Sequence, residues 1–154
     1  FLGIAADGRA SVVTTTGNPD CHVILRGGDA GSNCDRVTVE TVMSLLRRAG
    51  LPESVMIDAS HANCDKDHRK MPDVFRRILE LRAREFPGIC GAMLESHLNG
   101  GTQPFPRPAA ELLHGVSITD PCIDWQTTED LLLEAAAGLR ETSRKAMTAT
   151  ADAS

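Results

Sequence analysis

Surplus positive charge is absent from this sequence: 16 Lys and Arg stand against 21 Asp and Glu, for a formal net charge of −5. A nucleic-acid footprint shows as clustered basic residues, so no nucleic-acid partner is expected and any phosphate site must be local. Long apolar runs are missing too. Nothing approaches the roughly 18 residues of a membrane span, and the N-terminus has no basic stretch followed by an apolar one and a small-residue cleavage site. The expectation is a cytoplasmic chain with no membrane contact. The five cysteines, Cys21, Cys34, Cys64, Cys90 and Cys122, are odd in number, scattered and form no Cys-x-x-Cys pair. That spacing excludes a disulfide framework or a structural zinc site and leaves reduced thiols. An initiator methionine is also lacking. The opening Phe1-Leu2-Gly3-Ile4 reads as the middle of a folded segment, so a fragment of a longer protein is expected.

What is present is the composition of one soluble globular domain: 154 residues, 42% hydrophobic and 24% charged. Residues 1–16 read as two short strands around Asp7-Gly8, a dipeptide suited to the positive φ angles of a hairpin turn. The run Cys21-His22-Val23-Ile24-Leu25 then has buried-strand character and ends at Arg26-Gly27-Gly28. Helical spacing of Val39, Val42, Met43, Leu45 and Leu46 predicts a helix over 35–49, stopped by Gly50. The alternation repeats with a strand over 54–57 leading to Asp58-Ala59-Ser60-His61, and a helix over 72–86. It repeats again with a strand over 89–94 ending at Glu95-Ser96-His97, a Gly- and Pro-rich loop over 99–108, and a last helix capped near Thr127 and running to about Arg140. A disordered tail is expected over 142–154.

Continuously apolar strands alternating with helices predict parallel βαβ units with both sheet faces covered, an α/β fold. A complete (β/α)8 TIM barrel takes about 250 residues, so the preferred reading is its C-terminal portion, about three βα units preceded by a β-hairpin. An open doubly wound sheet is the alternative, but the first strand lacks the Gly-x-Gly-x-x-Gly turn of a dinucleotide-binding unit.

The polar residues carry the functional signal. Arg26, His61 and Glu95 each fall at the carboxyl end of a separate predicted strand, where α/β barrels place their sites. With Asp120, in the loop before the last helix, His61 and Glu95 offer one imidazole and two carboxylates to a divalent metal, and Arg26 offers a guanidinium fork to a phosphate. Taken singly, each has a plainer use: a hydrogen-bonded structural histidine, a helix-capping carboxylate, a turn with a solvated charge. Their coincidence favours a site. His97 reads as structural or as a support hydrogen-bonded behind a ligand, and Cys122 as a packed small residue.

The segments Cys21-His22-Val23-Ile24-Leu25-Arg26-Gly27-Gly28, Met56-Ile57-Asp58-Ala59-Ser60-His61-Ala62-Asn63, Met93-Leu94-Glu95-Ser96-His97 and Gly115-Val116-Ser117-Ile118-Thr119-Asp120-Pro121-Cys122-Ile123 resemble the class I DAHP synthases of bacteria and fungi, from Phe1 to about Arg140. The resemblance implies a partial barrel over 1–141, with a regulatory-type hairpin at 1–16 and the last βα units at 21–141. It implies condensation of phosphoenolpyruvate with erythrose 4-phosphate, the first step of the shikimate pathway, using Mn, Fe, Co or Zn. His61, Glu95 and Asp120 match three of four metal ligands, with His61 and Asp120 also placed for proton transfer. Arg26 matches a phosphoenolpyruvate-binding arginine. The family's fourth ligand, a cysteine in a Gly-Pro-Cys motif, and its Lys-Pro-Arg-Thr-Thr segment have no counterpart here, so the chain alone is expected to be inactive. Phe1, Gly3 and Val13 match positions of a hairpin that binds an aromatic amino acid effector. A homo-oligomer is implied for the full-length form. Where the family commonly has Glu-Gly-Asn-Gln, this chain has Gly100-Gly101-Thr102-Gln103, which alters loop contacts and not ligands. The alternative from another class is a non-catalytic effector-binding or docking module derived from such a synthase.

Overall fold

The computed structural model describes residues 1–151. Strands β1 (Leu2–Ile4) and β2 (Ala10–Val12) form an antiparallel hairpin in which Gly3 faces Ser11. Gly8, at φ +83°, takes the turn. The body of the chain is a three-stranded parallel sheet of β3 (Val23–Leu25), β4 (Val55–Asp58) and β5 (Ile89–Met93), with β4 in the centre. Val23 faces Val55 and Leu25 faces Ile57 across the first pair, and a bulge at Val55/Met56 resets the register so that Asp58 faces Met93. The class read from the sequence, α/β with parallel strands, is the class observed.

Three helices connect and cover these strands: α1 (Arg36–Arg48), α2 (Met71–Arg84) and α3 (Trp125–Ala151). Helix α1 begins where Asp35 accepts hydrogen bonds from the Val37 and Thr38 amides at 2.9 and 3.1 Å, satisfying two donors that the helix start leaves without partners. Pro72, in the first turn of α2, sits where its missing N–H costs nothing. Val39 and Met43 of α1, Phe75, Ile78 and Leu81 of α2, and Leu131 and Ala135 of α3 form one core with Leu25, Val55, Ile57 and Ile89 of the sheet. Each large aliphatic chain fully buried there is worth about 1.5–3 kcal/mol of burial.

Three expectations need correction. The helices cover one sheet face, not both: Ile24 and Met93, on the opposite face, are 46% and 37% exposed. Period-2 geometry hands alternate residues to that second face, where Ile24 and Met93 stay open while Asp58 is buried. The last helix starts one turn earlier than expected, with Asp124 as its cap, accepting from the Thr127 amide at 2.7 Å. It also continues to Ala151 instead of stopping near Arg140, so the stretch read as the start of a disordered tail is helical. Residues 142–151 contain several alanines and no Gly or Pro, and nothing breaks the helix. The end of the expected tail, 152–154, lies outside the described residues. Within α3, Leu131 is buried, whereas Leu132 and Leu133 are 51% and 65% exposed.

Between β5 and α3 the chain makes a further parallel bridge, Ser96 to Ile123, held by the Ile123 amide donating to Glu95 O and the His97 amide to Ile123 O, both at 3.0 Å. The sheet thus gains a rudimentary fourth strand beside β5, and α3 follows that strand rather than β5. Buried Gln103 fixes the intervening loop, donating to Leu113 O and Val116 O at 2.9 and 2.8 Å and accepting from the Leu113 amide at 2.8 Å.

Candidate active site

Parallel pairing brings the carboxyl ends of β3, β4 and β5 to one edge, and Arg26, His61 and Glu95 lie just beyond those ends. The Ser96–Ile123 bridge brings Asp120 to the same edge. His61 Nε2 stands 3.4 Å from Glu95 Oε1 and 3.6 Å from Asp120 Oδ2. The structure therefore gathers the three residues read from sequence as metal donors. The His61 side chain is 12% exposed, while Glu95 and Asp120 are 39% and 45% exposed, so the group is walled on the imidazole side and open on the carboxylate side. Arg26, Gly27, Gly28, Asp29, Lys66 and Asp120 line, with His61 and Ala62, a cavity of about 330 Å³.

The loop after β4 is held in an unusual shape. His61, Asp65 and Lys66 all have positive φ, at 52°, 55° and 57°, a region that costs a non-glycine residue about 1–2 kcal/mol. Local hydrogen bonds impose it: the Lys66 amide donates to His61 O at 2.8 Å and the Asn63 amide to Ser60 O at 3.1 Å. Asn63 ties β3 to β4, its amide donating to Leu25 O at 3.0 Å and Asp58 O at 2.8 Å. Its oxygen accepts from the Asn33 amide at 2.8 Å. Gly27 is required where it stands. At φ +73°, a Cβ there would lie 2.7 Å from Ala62 Cβ and 2.9 Å from Gly31 O.

Asp58 was not singled out by the sequence reading. It is fully buried at the end of β4, where Oδ1 accepts from the Ser60 amide and Oδ2 from His61 Nδ1, each at 2.7 Å, and Oδ2 lies 3.7 Å from Arg26 Nε. Ser60, also missed, accepts the Glu95 amide on its hydroxyl at 2.8 Å and so links the second strand end to the third. Lys66 adds a second cation to the cavity lining. A signal for them existed in the run Asp58-Ala59-Ser60-His61-Ala62-Asn63, a concentration of polar residues directly after an apolar strand. His97, by contrast, is exposed and accepts from the adjacent Leu98 amide through Nδ1 at 2.8 Å, in keeping with its structural reading.

Cys122 Sγ lies 4.0 Å from Glu95 Oε2. Burial foremost, and then the charges of Glu95 and Asp120, push its thiol above the ordinary range, against a lowering contact from Ser117. Among the described residues no group of three or more His, Cys, Asp and Glu side chains is placed so that it could hold a metal ion. His61, Glu95 and Asp120 are the candidate donors at this edge. In chemical type they fit a divalent transition metal, since imidazole with two carboxylates suits such ions and the far imidazole nitrogen is already hydrogen-bonded. A larger groove of about 750 Å³ runs along α1, but there Arg47 and Glu53 pair with each other and no donor set converges.

At the hairpin, Phe1 pairs with Val13, the Phe1 amino group donating to Val13 O at 3.0 Å. A Cβ on Gly3 would meet Val13 Cγ2 at 2.8 Å and Phe1 Cε2 at 3.7 Å. The three residues read as effector-binding therefore share one hairpin face.

The chain is similar to several known proteins. The chain is 44% identical over 147 residues to the phospho-2-dehydro-3-deoxyheptonate aldolase of Corynebacterium glutamicum, covering 92% of this chain and 39% of that protein. It is 38% identical to the phenylalanine-inhibited enzyme of Saccharomyces cerevisiae, covering 96% and 41% respectively. The tyrosine-inhibited enzyme of Schizosaccharomyces pombe is 42% identical, covering 91% and 38%. The solved phospho-2-dehydro-3-deoxyheptonate aldolase of Francisella tularensis superposes with a TM-score of 0.80 at 36% identity, over 91% of this chain and 40% of that one. The chain thus spans roughly two fifths of the length of these relatives. The sequence profile of the DAHP synthetase I family matches residues 2–133. With its fold and residues 2–133 matched in this way, the chain belongs to the DAHP synthetase I family.

Proposed function

We propose that these residues form the C-terminal portion of a (β/α)8 barrel enzyme that condenses phosphoenolpyruvate with erythrose 4-phosphate to give DAHP and phosphate, at the head of aromatic amino acid biosynthesis. The observation that carries this reading is the convergence of His61 Nε2 with the Glu95 and Asp120 carboxylates at 3.4 and 3.6 Å, beside a cavity lined by Arg26. His61, Glu95 and Asp120 would hold the metal, which can be Mn, Fe, Co or Zn for this donor set. When bound, such an ion supplies Lewis acidity toward the aldehyde of erythrose 4-phosphate.

The chain's own residues do the rest of what is assigned here. Arg26, with Lys66 on the same cavity wall, binds the phosphate of phosphoenolpyruvate by charge and hydrogen bonding. The methylene carbon of phosphoenolpyruvate bonds to the aldehyde carbon, water adds at the enol carbon, and phosphate leaves with cleavage of its carbon–oxygen bond. Asp120, at the cavity, takes the proton of that water, because both nitrogens of His61 are committed, Nδ1 to Asp58 and Nε2 to the metal-donor side. A fourth metal ligand and further phosphate-binding groups belong to residues outside this chain, so the 154 residues alone are inactive. All five cysteines are free, which suits a reducing, cytoplasmic setting. Among the described residues no helix is long and apolar enough to cross a membrane.

The test is His61→Ala in the full-length protein. The expected result is a loss of at least about a hundredfold in kcat together with weakened binding of Mn or Zn; turnover at the unmutated rate would reject the site. The Phe1, Gly3 and Val13 face is proposed as an aromatic amino acid effector site, in line with the inhibition named for the two fungal relatives. Phenylalanine or tyrosine is expected to raise the thermal midpoint of the full-length protein and to lower its activity. If neither amino acid moves either quantity, the hairpin is not an effector site.

A further inference from the structure

We infer that Asp58 is a positioning residue that ties the metal-donor side of the cavity to its phosphate-binding side; the inference rests on the reading of His61 and Arg26 given above. A fully buried carboxylate is expensive unless its oxygens are matched by donors. Here both oxygens are committed, and the partners are informative. Oδ1 accepts the Ser60 amide at 2.7 Å, which fixes the side chain on its own loop. Oδ2 accepts from His61 Nδ1 at 2.7 Å and lies 3.7 Å from Arg26 Nε. One oxygen thus serves two residues of the cavity that come from different strand ends.

Each contact has a consequence. A carboxylate only accepts hydrogen bonds, so the imidazole proton resides on Nδ1 and the lone pair of Nε2 points to the Glu95 and Asp120 oxygens. Three electron-rich atoms then face one another at 3.4 and 3.6 Å, an arrangement that a cation between them relieves. The positive φ of His61, +52°, brings the ring within reach of Asp58 only three residues back in the chain. On the other side, Asp58 engages the stem nitrogen of Arg26, and the fork beyond it remains on the cavity wall. The same carboxylate therefore sets the tautomer of one residue and the aim of the other.

Asp58→Asn in the full-length protein tests this, because the amide keeps the size but presents a donor in place of one acceptor. The expected result is a Kd for Mn or Zn raised roughly 10–100-fold, and a KM for phosphoenolpyruvate raised with little change in that for erythrose 4-phosphate. A role in folding alone would lower the thermal midpoint and leave both constants of the folded variant unchanged, which would overturn the inference. His61→Ala is measured alongside: if it too binds metal as the unmutated protein does, the donor set itself has failed, and the inference with it. Should Asp58→Asn not fold, 15N spectra of histidine in the zinc-loaded unmutated protein decide. A proton on His61 Nδ1 supports the inference, and a proton on Nε2 overturns it.

Discussion

Asp67 is the residue whose charge state the structure predicts most sharply. The Arg69 side chain donates to its carboxylate from Nε and Nη2, both at 2.8 Å, and the Arg69 amide adds a bond at 3.1 Å. That side-chain contact is the main reason its pKa falls from 3.8 to about 2. A carboxylate whose folded pKa is depressed adds stability above its unfolded value, and the contribution disappears as pH falls from 3.8 through about 2. The expected NMR titration midpoint of Asp67 is therefore about 2, returning toward 3.8 in Arg69→Ala. An unmutated midpoint near 3.8 would show that the Arg69 contact does not persist in solution. At this scale Arg26, His61 and Glu95 stood out in advance because each is polar just beyond an apolar run, and Asp120 because it lies in the loop before the last helix. Asp58 was not, because a single Asp at a strand end looks like any loop carboxylate until its burial and its two partners are seen.

Single elements were read to within a few residues wherever a local cause fixes them. Asp35 caps α1 as its position before the apolar stripe implies, and the Thr38 hydroxyl, the first cause of the lowered Asp35 pKa, adds to the cap. Asp35→Ala is expected to destabilise the protein by about 1 kcal/mol, read as a shifted denaturant midpoint at unchanged m-value. A shift near zero would mean that water replaces the cap at no cost. The last helix was misread for equally local reasons. Asp124 and Thr127 are both good capping residues, and only the hydrogen bond from the Thr127 amide to Asp124 identifies the one in use. The bridge at Ile123 escaped notice because so short a pairing has no period to detect.

Over the whole molecule, apolar surface is covered unevenly. The helix-facing side of the sheet is buried except at Val23, whereas Ile24 and Met93 on the other side, and Leu2, Ile4 and Val12 on one hairpin face, stay open, the last three at 77–82% exposure. Exposed apolar patches of this kind on a soluble protein are contact surfaces. The purified 154-residue chain is expected to self-associate in sedimentation velocity at micromolar concentration, and Ile24→Lys with Met93→Lys is expected to reduce the association. A sharp monomer peak for the unmutated chain would mean that these surfaces tolerate water. In the proposed barrel the open sheet face would be the interior.

By itself the sequence determined the alternation of strands and helices, since apolar period, capping residues and Gly-Pro breaks act within a few residues of where they are written. It also determined which side chains stand at strand ends, because the strand's end and the polar residue after it are adjacent in the chain. Only the tertiary structure decided that Arg26, His61, Glu95 and Asp120 meet, because parallel pairing joins positions that are distant in sequence. It alone decided that Asp58 lies beneath two of them, where burial makes every hydrogen bond of a carboxylate obligatory.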